Sequence, residues 1–231
     1  MSDAKISLNF DDGPQASLAE GLNVALSNGV TLLYSTPLLR HTVAEAGQIN
    51  PGLARAILAR EQQDGGVRVS NTGGWQSGTD FLDAALPELA TLKKAIAETL
   101  KTIVALSPEL GAMPAGSRQV ALHGWANVNR DSHYNRLHTH PGSHWSGVYY
   151  VSTGEPDPAR PQNGVIEFHD PRHISATMRI PGFRFGQQLE VQPFPGLMLL
   201  FPSWLEHWVT PFHGKGERIS IAYNLQITTK A

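Results

Sequence analysis

The pattern of apolar and polar residues divides the chain into a helical first half and a strand-like second half. The leading helical signal covers 86–106, where apolar residues recur at helical spacing and charged residues mostly lie on the other side. A second helix is predicted over 50–63, because Asn50 followed by Pro51 is typical of a helix start. Such helices most simply pack on the outside of a sheet.

From about residue 118 onward, short apolar or alternating stretches are separated by Gly, Pro and Asn. Many short strands without intervening helices predict an antiparallel sandwich or a jelly-roll barrel. An earlier strand is predicted over 30–36, before Pro37. The candidate strands of the second half are 119–128, 136–140, 147–152, 164–169, 183–185, 189–192, 197–201 and 218–227.

The other segments are predicted to be connections. Residues 1–29 read as a polar extension with a short helix near 18–26, and 111–116 as a boundary before the β half. The stretch 70–78 is too rich in glycine for a regular element and is predicted as a loop, which could also line a substrate mouth. The Pro- and Gly-rich stretch 153–163 is predicted as a mobile loop that could act as a lid.

The amino-acid composition argues against several classes of function for this protein. A formal net charge of −2 gives no electrostatic case for binding nucleic acid or an anionic membrane. The absence of cysteine excludes disulfides, thiolate metal sites and cysteine nucleophiles. Neither a signal-peptide pattern over residues 1–5 nor an apolar run of membrane-spanning length is visible. We therefore expect a cytoplasmic protein with no membrane partner.

Histidines are concentrated in the second half, where nine of the ten lie between His123 and His213. In an extended strand His138 and His140 project from the same face, roughly 7 Å apart, and could chelate one transition metal. The best candidate for a third ligand is the distant His207. These three residues form the predicted metal site.

The last predicted strand adds a possible anion site. Its bulky residues alternate with Arg218 and Ser220, which are expected to face the barrel interior. A buried guanidinium is costly unless an anion pairs with it, so this arrangement suggests a bound carboxylate. The spacing of His207 and Arg218 (218 − 207 = 11) suggests neighbouring antiparallel strands joined near Gly214.

These motifs resemble an uncharacterised bacterial and phage branch of the Fe(II)/2-oxoglutarate-dependent oxygenases. The resemblance rests on His-x-His, then Ser-Gly-Val-Tyr-Tyr, Phe-His-Asp-Pro-Arg at 168–172, Leu-Phe-Pro-Ser-Trp before His207, and Arg-x-Ser. It covers roughly 125–224, and 70–77 is also similar. It implies an α+β fold, a double-stranded β-helix (a cupin-like jelly roll) over 117–231, buttressed by a strand and helices within 30–116. The whole chain, 1–231, is predicted to be a single domain.

The resemblance also implies the roles of individual residues. Fe(II) would be held by His138, His140 and His207, and the far carboxylate of 2-oxoglutarate by Arg218. The further cosubstrate-binding candidates that it implies are Ser220, Tyr150 and Asn127. Of the adjacent tyrosines Tyr149 and Tyr150, alternation predicts that one is core and the other can line the pocket.

One position departs from the pattern of the superfamily, because His140 stands where a carboxylate ligand is expected. Three histidines make the site one charge more positive, as in cupin-type dioxygenases, which use no 2-oxoglutarate. Asp131 or Glu206 could supply a carboxylate instead, although Glu206 should face away from the site. His169, Asp170 and Arg172 read equally well as a supporting site or as a solvated turn.

The predicted function is a dioxygenase that hydroxylates an unknown small-molecule or peptide substrate and converts 2-oxoglutarate to succinate, with molecular oxygen as co-reactant. A cupin-like three-histidine dioxygenase or isomerase, or a non-catalytic metal- or small-ligand-binding protein, remains open. Arg218 and Ser220 favour the oxygenase, since they have no role in either alternative. A homodimer is possible through exposed aromatics near Trp204 and Trp208.

Overall fold

The computed structural model of the protein describes residues 35–107, 109, 112, 114, 117–172 and 186–229. Its helices are α1 (Ala46–Gln63) and α2 (Pro87–Ala105), with a 3-10 turn at Phe81–Asp83. Its strands are β1 (Leu39–Thr42), β2 (Asn71–Thr72), β3 (Trp75–Gln76), β4 (Arg118–Asn129), β5 (Tyr134–His138), β6 (Trp145–Pro156), β7 (Ile166–Phe168), β8 (Leu189–Val191), β9 (Leu197–Pro202), β10 (His207–Val209) and β11 (Gly214–Thr229).

The strands form two sheets. The larger has the order β1-β9-β6-β11-β4-β3 and the smaller the order β2-β5-β10-β7-β8. All strand pairs within these sheets are antiparallel. Neighbours that are distant in sequence, such as β4 and β11, are the mark of a jelly roll. The predicted α+β fold with a double-stranded β-helix is confirmed.

The helices cover the outer face of the larger sheet. Helix α2 buries one apolar stripe, which includes Leu92 and Ile96, as its periodicity predicted. Ile219, Ile221 and Tyr223 of strand β11 pack in this same core. The bulky residues of the last strand therefore pack against the helices, as expected, and leave its other face to the barrel interior.

The two adjacent tyrosines of β6 belong to different cores. Tyr149 packs on the helix side of the sheet, and its hydroxyl donates a hydrogen bond to Asn50 Oδ1 at 2.5 Å. Tyr150 packs between the sheets with Val148, Phe168 and other residues of the inner core. The prediction that one of the pair faces the pocket is confirmed for Tyr150, which lines the inner cavity.

Helix α1 begins earlier than the sequence predicted. It starts at Ala46, so that Asn50 is not its cap and Pro51 lies inside it. The buried stripe of this helix already includes Ile49, and burial of that side chain extends the helix towards its N-terminus. The Asn50 side chain is engaged by Tyr149 and caps no helix end.

Several predicted strand boundaries were wrong. Residues 35 and 36 are not in a strand, whereas the short and mostly exposed β1 was missed. The stretch 70–78, predicted as a loop, contains β2 and β3. Strand β6 continues to Pro156 along β11, so the first part of 153–163 is sheet. The predictions for 1–29 and 183–185, residues 30–34 of the predicted strand 30–36, and most of 111–116 fall outside the described residues.

Among the described residues, no helix combines the length and the apolar character that crossing a membrane would require.

Candidate metal centre

Three histidines meet at one end of the barrel. His138 ends β5 and His207 begins β10, and the two lie directly opposite each other in the antiparallel ladder. His140 follows β5, where its backbone N–H donates to the Ser203 carbonyl at 2.9 Å. One ring nitrogen from each histidine lies within 4.8 Å of the others, and His140 Nε2 is 3.3 Å from His207 Nε2.

A β-bulge brings His138 to this position. Along β10, His207 and Val209 are two residues apart, but their partners on β5, His138 and Asn135, are three apart. The extra residue lets both Asn135 and His138 face the cavity, which simple alternation would forbid. The predicted strand 136–140 was therefore displaced, and the pair His138 and His140 does not share a regular strand.

Backbone carbonyls orient two of the rings. His138 Nδ1 donates to the Arg136 carbonyl at 2.6 Å, and His207 Nδ1 donates to the Leu205 carbonyl at 2.8 Å. Because a carbonyl only accepts, each Nδ1 carries the proton and each Nε2 keeps its lone pair. This hydrogen bond to the remote nitrogen is typical of metal-binding histidines.

Burial keeps the cluster neutral. It lowers the pKa of His207 to about 3, that of His140 to about 4, and that of His138 below its ordinary value. Neutral imidazoles with converging lone pairs are the ligands that divalent transition metals prefer. The donor set of this cluster thus fits such a metal.

A buried arginine faces the same cavity. Arg218 is 2% exposed, and its Nε donates to the Gly164 carbonyl at 3.1 Å. No carboxylate of the described residues pairs with it, since Glu217 turns the other way and lies 3.6 Å from Arg130. Burial lowers the pKa of Arg218, and the nearby Tyr150 opposes this shift. A guanidinium in this state calls for an anionic ligand.

Unpartnered polar atoms surround this arginine. The Tyr150 hydroxyl and Asn127 Oδ1 are buried and have no hydrogen-bond partner among the described residues, and the same is true of Asn129 Oδ1. Ser220 lies between Asn127 on β4 and Tyr150 on β6 in the ladder. The arginine carbon Cζ is 5.2 Å from the centroid of the Tyr150 ring. The cavity therefore presents a cation together with polar groups that a bound carboxylate could satisfy.

One predicted relation between these residues was wrong. His207 and Arg218 do not lie on neighbouring strands, because β10 belongs to the smaller sheet and β11 to the larger. Both nevertheless line the inner cavity, along with all of the other predicted site residues, from opposite walls. The jelly-roll crossover places them together where the sequence suggested a hairpin.

The carboxylate candidates lie elsewhere. Asp131 is exposed, accepts a hydrogen bond from the Gly214 N–H at 3.1 Å, and is absent from the histidine cluster. Glu206 is exposed, as expected from its position beside His207. His169 donates to the buried Glu167 at 2.8 Å, and Asp170 pairs with Arg172. None of these side chains lines the inner cavity.

Sequence reasoning missed some of the residues that line the cavities. Asn135 reaches the inner cavity only through the bulge, which no local pattern signals. Gln76 and Arg136 line a second, outer cavity next to His138 and His140. The motif 70–78 gave a usable signal for Gln76, because a loop that could line a substrate mouth was one reading of it.

Solved structures resemble this fold across most of the chain. A prolyl-4-hydroxylase from Pseudomonas putida has a TM-score of 0.56 at 15% identity, covering 83% of this chain and 93% of that one. A collagen prolyl hydroxylase of Paramecium Bursaria Chlorella virus-1, solved as a 2OG complex, has a TM-score of 0.53 at 12% identity, with coverages of 81% and 94%. The epimerase SnoN, in complex with Fe3+, alpha ketoglutarate and nogalamycin RO, has a TM-score of 0.53 at 14% identity, with coverages of 85% and 82%.

The structure is thus a double-stranded β-helix with a histidine cluster at one end of its barrel. Residues 123–224 match the family described as "Putative 2OG-Fe(II) oxygenase". This match covers 102 of the 231 residues (224 − 123 + 1 = 102), so this part of the chain is similar to a 2OG-Fe(II) oxygenase domain. A comparison with curated proteins found no match.

Proposed function

We propose that this protein is an Fe(II)- and 2-oxoglutarate-dependent dioxygenase in which His138, His140 and His207 hold the iron. Arg218 would bind the far carboxylate of 2-oxoglutarate. The observation that carries this proposal is a buried guanidinium with no carboxylate partner among the described residues, in the same cavity as three converging imidazoles. Neither a structural metal site nor a sensor of metal alone would need that arginine.

Each predicted cosubstrate-binding group of the inner cavity has a role in this proposal. The guanidinium offers parallel N–H groups to one carboxylate, and Tyr150 and Ser220 offer hydroxyl donors beside it. The Asn127 side-chain amide can donate through its Nδ2 group. Phe168, Phe201 and the other apolar side chains of the inner core exclude water around these contacts.

When bound together, iron and 2-oxoglutarate supply oxidative chemistry, with the balance R–H + 2-oxoglutarate + O2 giving R–OH + succinate + CO2. The protein's contribution is to hold the histidine rings in one tautomer, to neutralise the cosubstrate's charge and to keep water away. The SnoN complex with Fe3+ and alpha ketoglutarate supports this reading, as does the match over residues 123–224.

An anaerobic titration tests the proposal. Protein loaded with Fe(II) is titrated with 2-oxoglutarate while the visible charge-transfer absorption is recorded. We expect a saturable band in the wild type, its loss in Arg218→Met, and its retention in Arg55→Met, which removes an exposed arginine of α1. Iron that binds without producing any band would refute the role of 2-oxoglutarate.

A second candidate function follows from the ligand set. No carboxylate of the described residues joins the three histidines in the cluster. This favours a cupin-like three-histidine iron dioxygenase as the alternative, which would turn over its substrate without 2-oxoglutarate. Activity that survives removal of 2-oxoglutarate and the change Arg218→Met would select this alternative.

We also propose a cytoplasmic location and a capacity to form homodimers. Trp204 is 54% exposed and is available for an interface, whereas the Trp208 indole N–H donates to Glu167 at 2.8 Å. Light scattering of the wild type and of Trp204→Ala tests the dimer, and a monomeric wild type would contradict it.

A further inference from the structure

A second cavity lies outside the metal centre. It has a volume of about 410 Å³ and shares His138 and His140 with the inner cavity, but it contains neither Arg218 nor Tyr150. This volume is within the range of small-molecule sites. A molecule in the outer cavity would contact two of the three histidines while leaving the inner anion site free. The side chains of its walls determine which class of ligand it could bind.

The walls of this outer cavity carry hydrogen-bond donors without partners. Arg136 is exposed at the rim, where its Nη2 donates to the Val69 carbonyl at 2.7 Å and its other guanidinium N–H groups are open to solvent or to a ligand. Gln76 is only 5% exposed, yet its side-chain amide makes no hydrogen bond within the described part of the chain. Because Gln76 lines the cavity, its amide is available to a ligand bound there.

Two further side chains repeat this pattern. Asn224 Oδ1 accepts a hydrogen bond from the Ser146 hydroxyl at 2.8 Å, which leaves the Nδ2 group of Asn224 as a donor. The Trp125 indole N–H has no partner among the described residues, and the Trp125 ring lies 5.6 Å from that of His140. Both side chains line the outer cavity. The cavity thus offers donors beside an aromatic face.

No acidic side chain of the described residues lines this cavity, and Arg136 is its one arginine. A cationic ligand would meet a guanidinium with no compensating carboxylate, whereas an anion would meet four donor groups. The bulge of β5 also places Arg136 at the rim, because the extra residue lies between Asn135 and His138. The positive charge of Arg136 and the four donor groups therefore both favour an anionic ligand.

We propose that the substrate of this oxygenase is a small organic carboxylate. Its acid group pairs with Arg136 and the Gln76 amide, and its apolar body lies against Trp125 near His138 and His140. This inference rests on the proposed function, since it identifies the substrate class for the same metal centre. It makes the donor-rich outer cavity the determinant of specificity.

The test uses one apolar body with three head groups. The probes are 3-phenylpropanoic acid, its amide, and 3-phenylpropylamine, each added to protein loaded with Mn(II) and saturating 2-oxoglutarate. Paramagnetic broadening of the probe protons reports binding next to the metal. We expect the acid to bind about tenfold more tightly than the amide, and the amine not to bind, since a charged hydrogen bond is about twice as strong as a neutral one.

Three variants locate the acid group. Arg136→Gln should reduce the acid to the affinity of the amide, and Gln76→Leu should weaken the acid about threefold through loss of a single hydrogen bond. Arg55→Gln, a matched loss of charge on α1, should change nothing. Because Gln76→Leu keeps the tether from Arg136 to Val69, it tests the proposal even where Arg136→Gln fails to fold.

The outcomes separate the two proposals. Equal binding of the acid and the amide, or an acid preference that survives both Arg136→Gln and Gln76→Leu, overturns the carboxylate inference. If the same purified proteins, loaded with Fe(II) in place of Mn(II) under anaerobic conditions, show the charge-transfer band with 2-oxoglutarate, the proposed function still stands. Absence of that band in the wild type instead overturns the proposed function itself.

Discussion

Arg218 should destabilise the protein until 2-oxoglutarate binds. The guanidinium is 2% exposed, makes a single hydrogen bond to the Gly164 carbonyl, and has no carboxylate partner among the described residues. Replacing it with methionine removes the buried charge and keeps most of the apolar volume. The substitution Arg218→Met therefore separates the cost of burying an unpaired guanidinium from the gain on ligand binding.

The structure sets the expected magnitudes. Replacing buried ionic groups by apolar ones of similar volume is often neutral or stabilises by about 1–4 kcal/mol. Against this, the Gly164 carbonyl loses its donor, which costs about 1–3 kcal/mol. The difference between these effects runs from about 3 kcal/mol in favour of the wild type to about 3 kcal/mol in favour of Arg218→Met, and the midpoints of the two ranges favour Arg218→Met slightly.

Ligand binding should reverse the order of the two proteins. At a hundredfold excess over its Kd, 2-oxoglutarate should stabilise the wild type by about 2.7 kcal/mol. For a chain of this size, that corresponds to a rise in Tm of about 5–11 °C. Arg218→Met should show a rise of less than about 2 °C, because its anion site is gone.

Thermal unfolding of the Mn(II)-loaded proteins, with and without 2-oxoglutarate, measures both effects. Arg130→Met is the matched control, since Arg130 is already paired with Glu61 at 2.6 Å and should keep the full response to 2-oxoglutarate. A ligand-free Arg218→Met that is less stable than wild type by more than about 3 kcal/mol would refute the reasoning. So would an undiminished rise in Tm on adding 2-oxoglutarate.

Substitutions at three further positions test the site and its frame. By calorimetry, His140→Ala should weaken Mn(II) binding at least tenfold. His140→Asp should retain Mn(II) binding, because a carboxylate can replace the third imidazole as a ligand. An equal loss of affinity in both variants would contradict ligation by His140. Tyr150→Phe should leave ligand-free stability nearly unchanged and weaken 2-oxoglutarate about tenfold, since its hydroxyl is unpartnered; unchanged affinity would remove it from the site. Gly147→Ala should lower the free energy of unfolding in urea by about 1–3 kcal/mol. The added Cβ would overlap the Tyr223 ring and lie 2.6 Å from the Leu199 carbonyl oxygen. A variant as stable as the wild type would contradict this.

Elements with a repeated burial pattern could be predicted from the sequence. Helix α2 and strand β11 each present one apolar face to the same core. Their apolar residues therefore recur with periods of 3.6 and 2 residues, which predicted both elements correctly. Helix α1 was predicted four residues short, because Asn50 looks like a cap and is instead held by Tyr149. Short edge strands such as β1 have too few buried residues to leave a pattern.

In the site, too, the local sequence pattern predicted which way side chains face but not which strands lie next to each other. The residues that line the inner cavity were predictable where alternation decides the facing, as for Arg218 and Ser220. Their arrangement relative to His207 was not, because it depends on which strands the crossovers make neighbours. Asn135 and Arg136 were missed because one extra residue in β5 reverses the expected facing.

That extra residue connects the two proposed binding sites. Without the bulge, regular alternation would turn either Asn135 or His138 away from the inner cavity. The bulge lets both residues face inward and leaves Arg136 on the rim, next to the outer cavity. The Arg136 carbonyl accepts the hydrogen bond that fixes the His138 ring, while its side chain is the cation of the outer cavity. A single local irregularity therefore sets both the orientation of a proposed metal ligand and the charge that a substrate would meet.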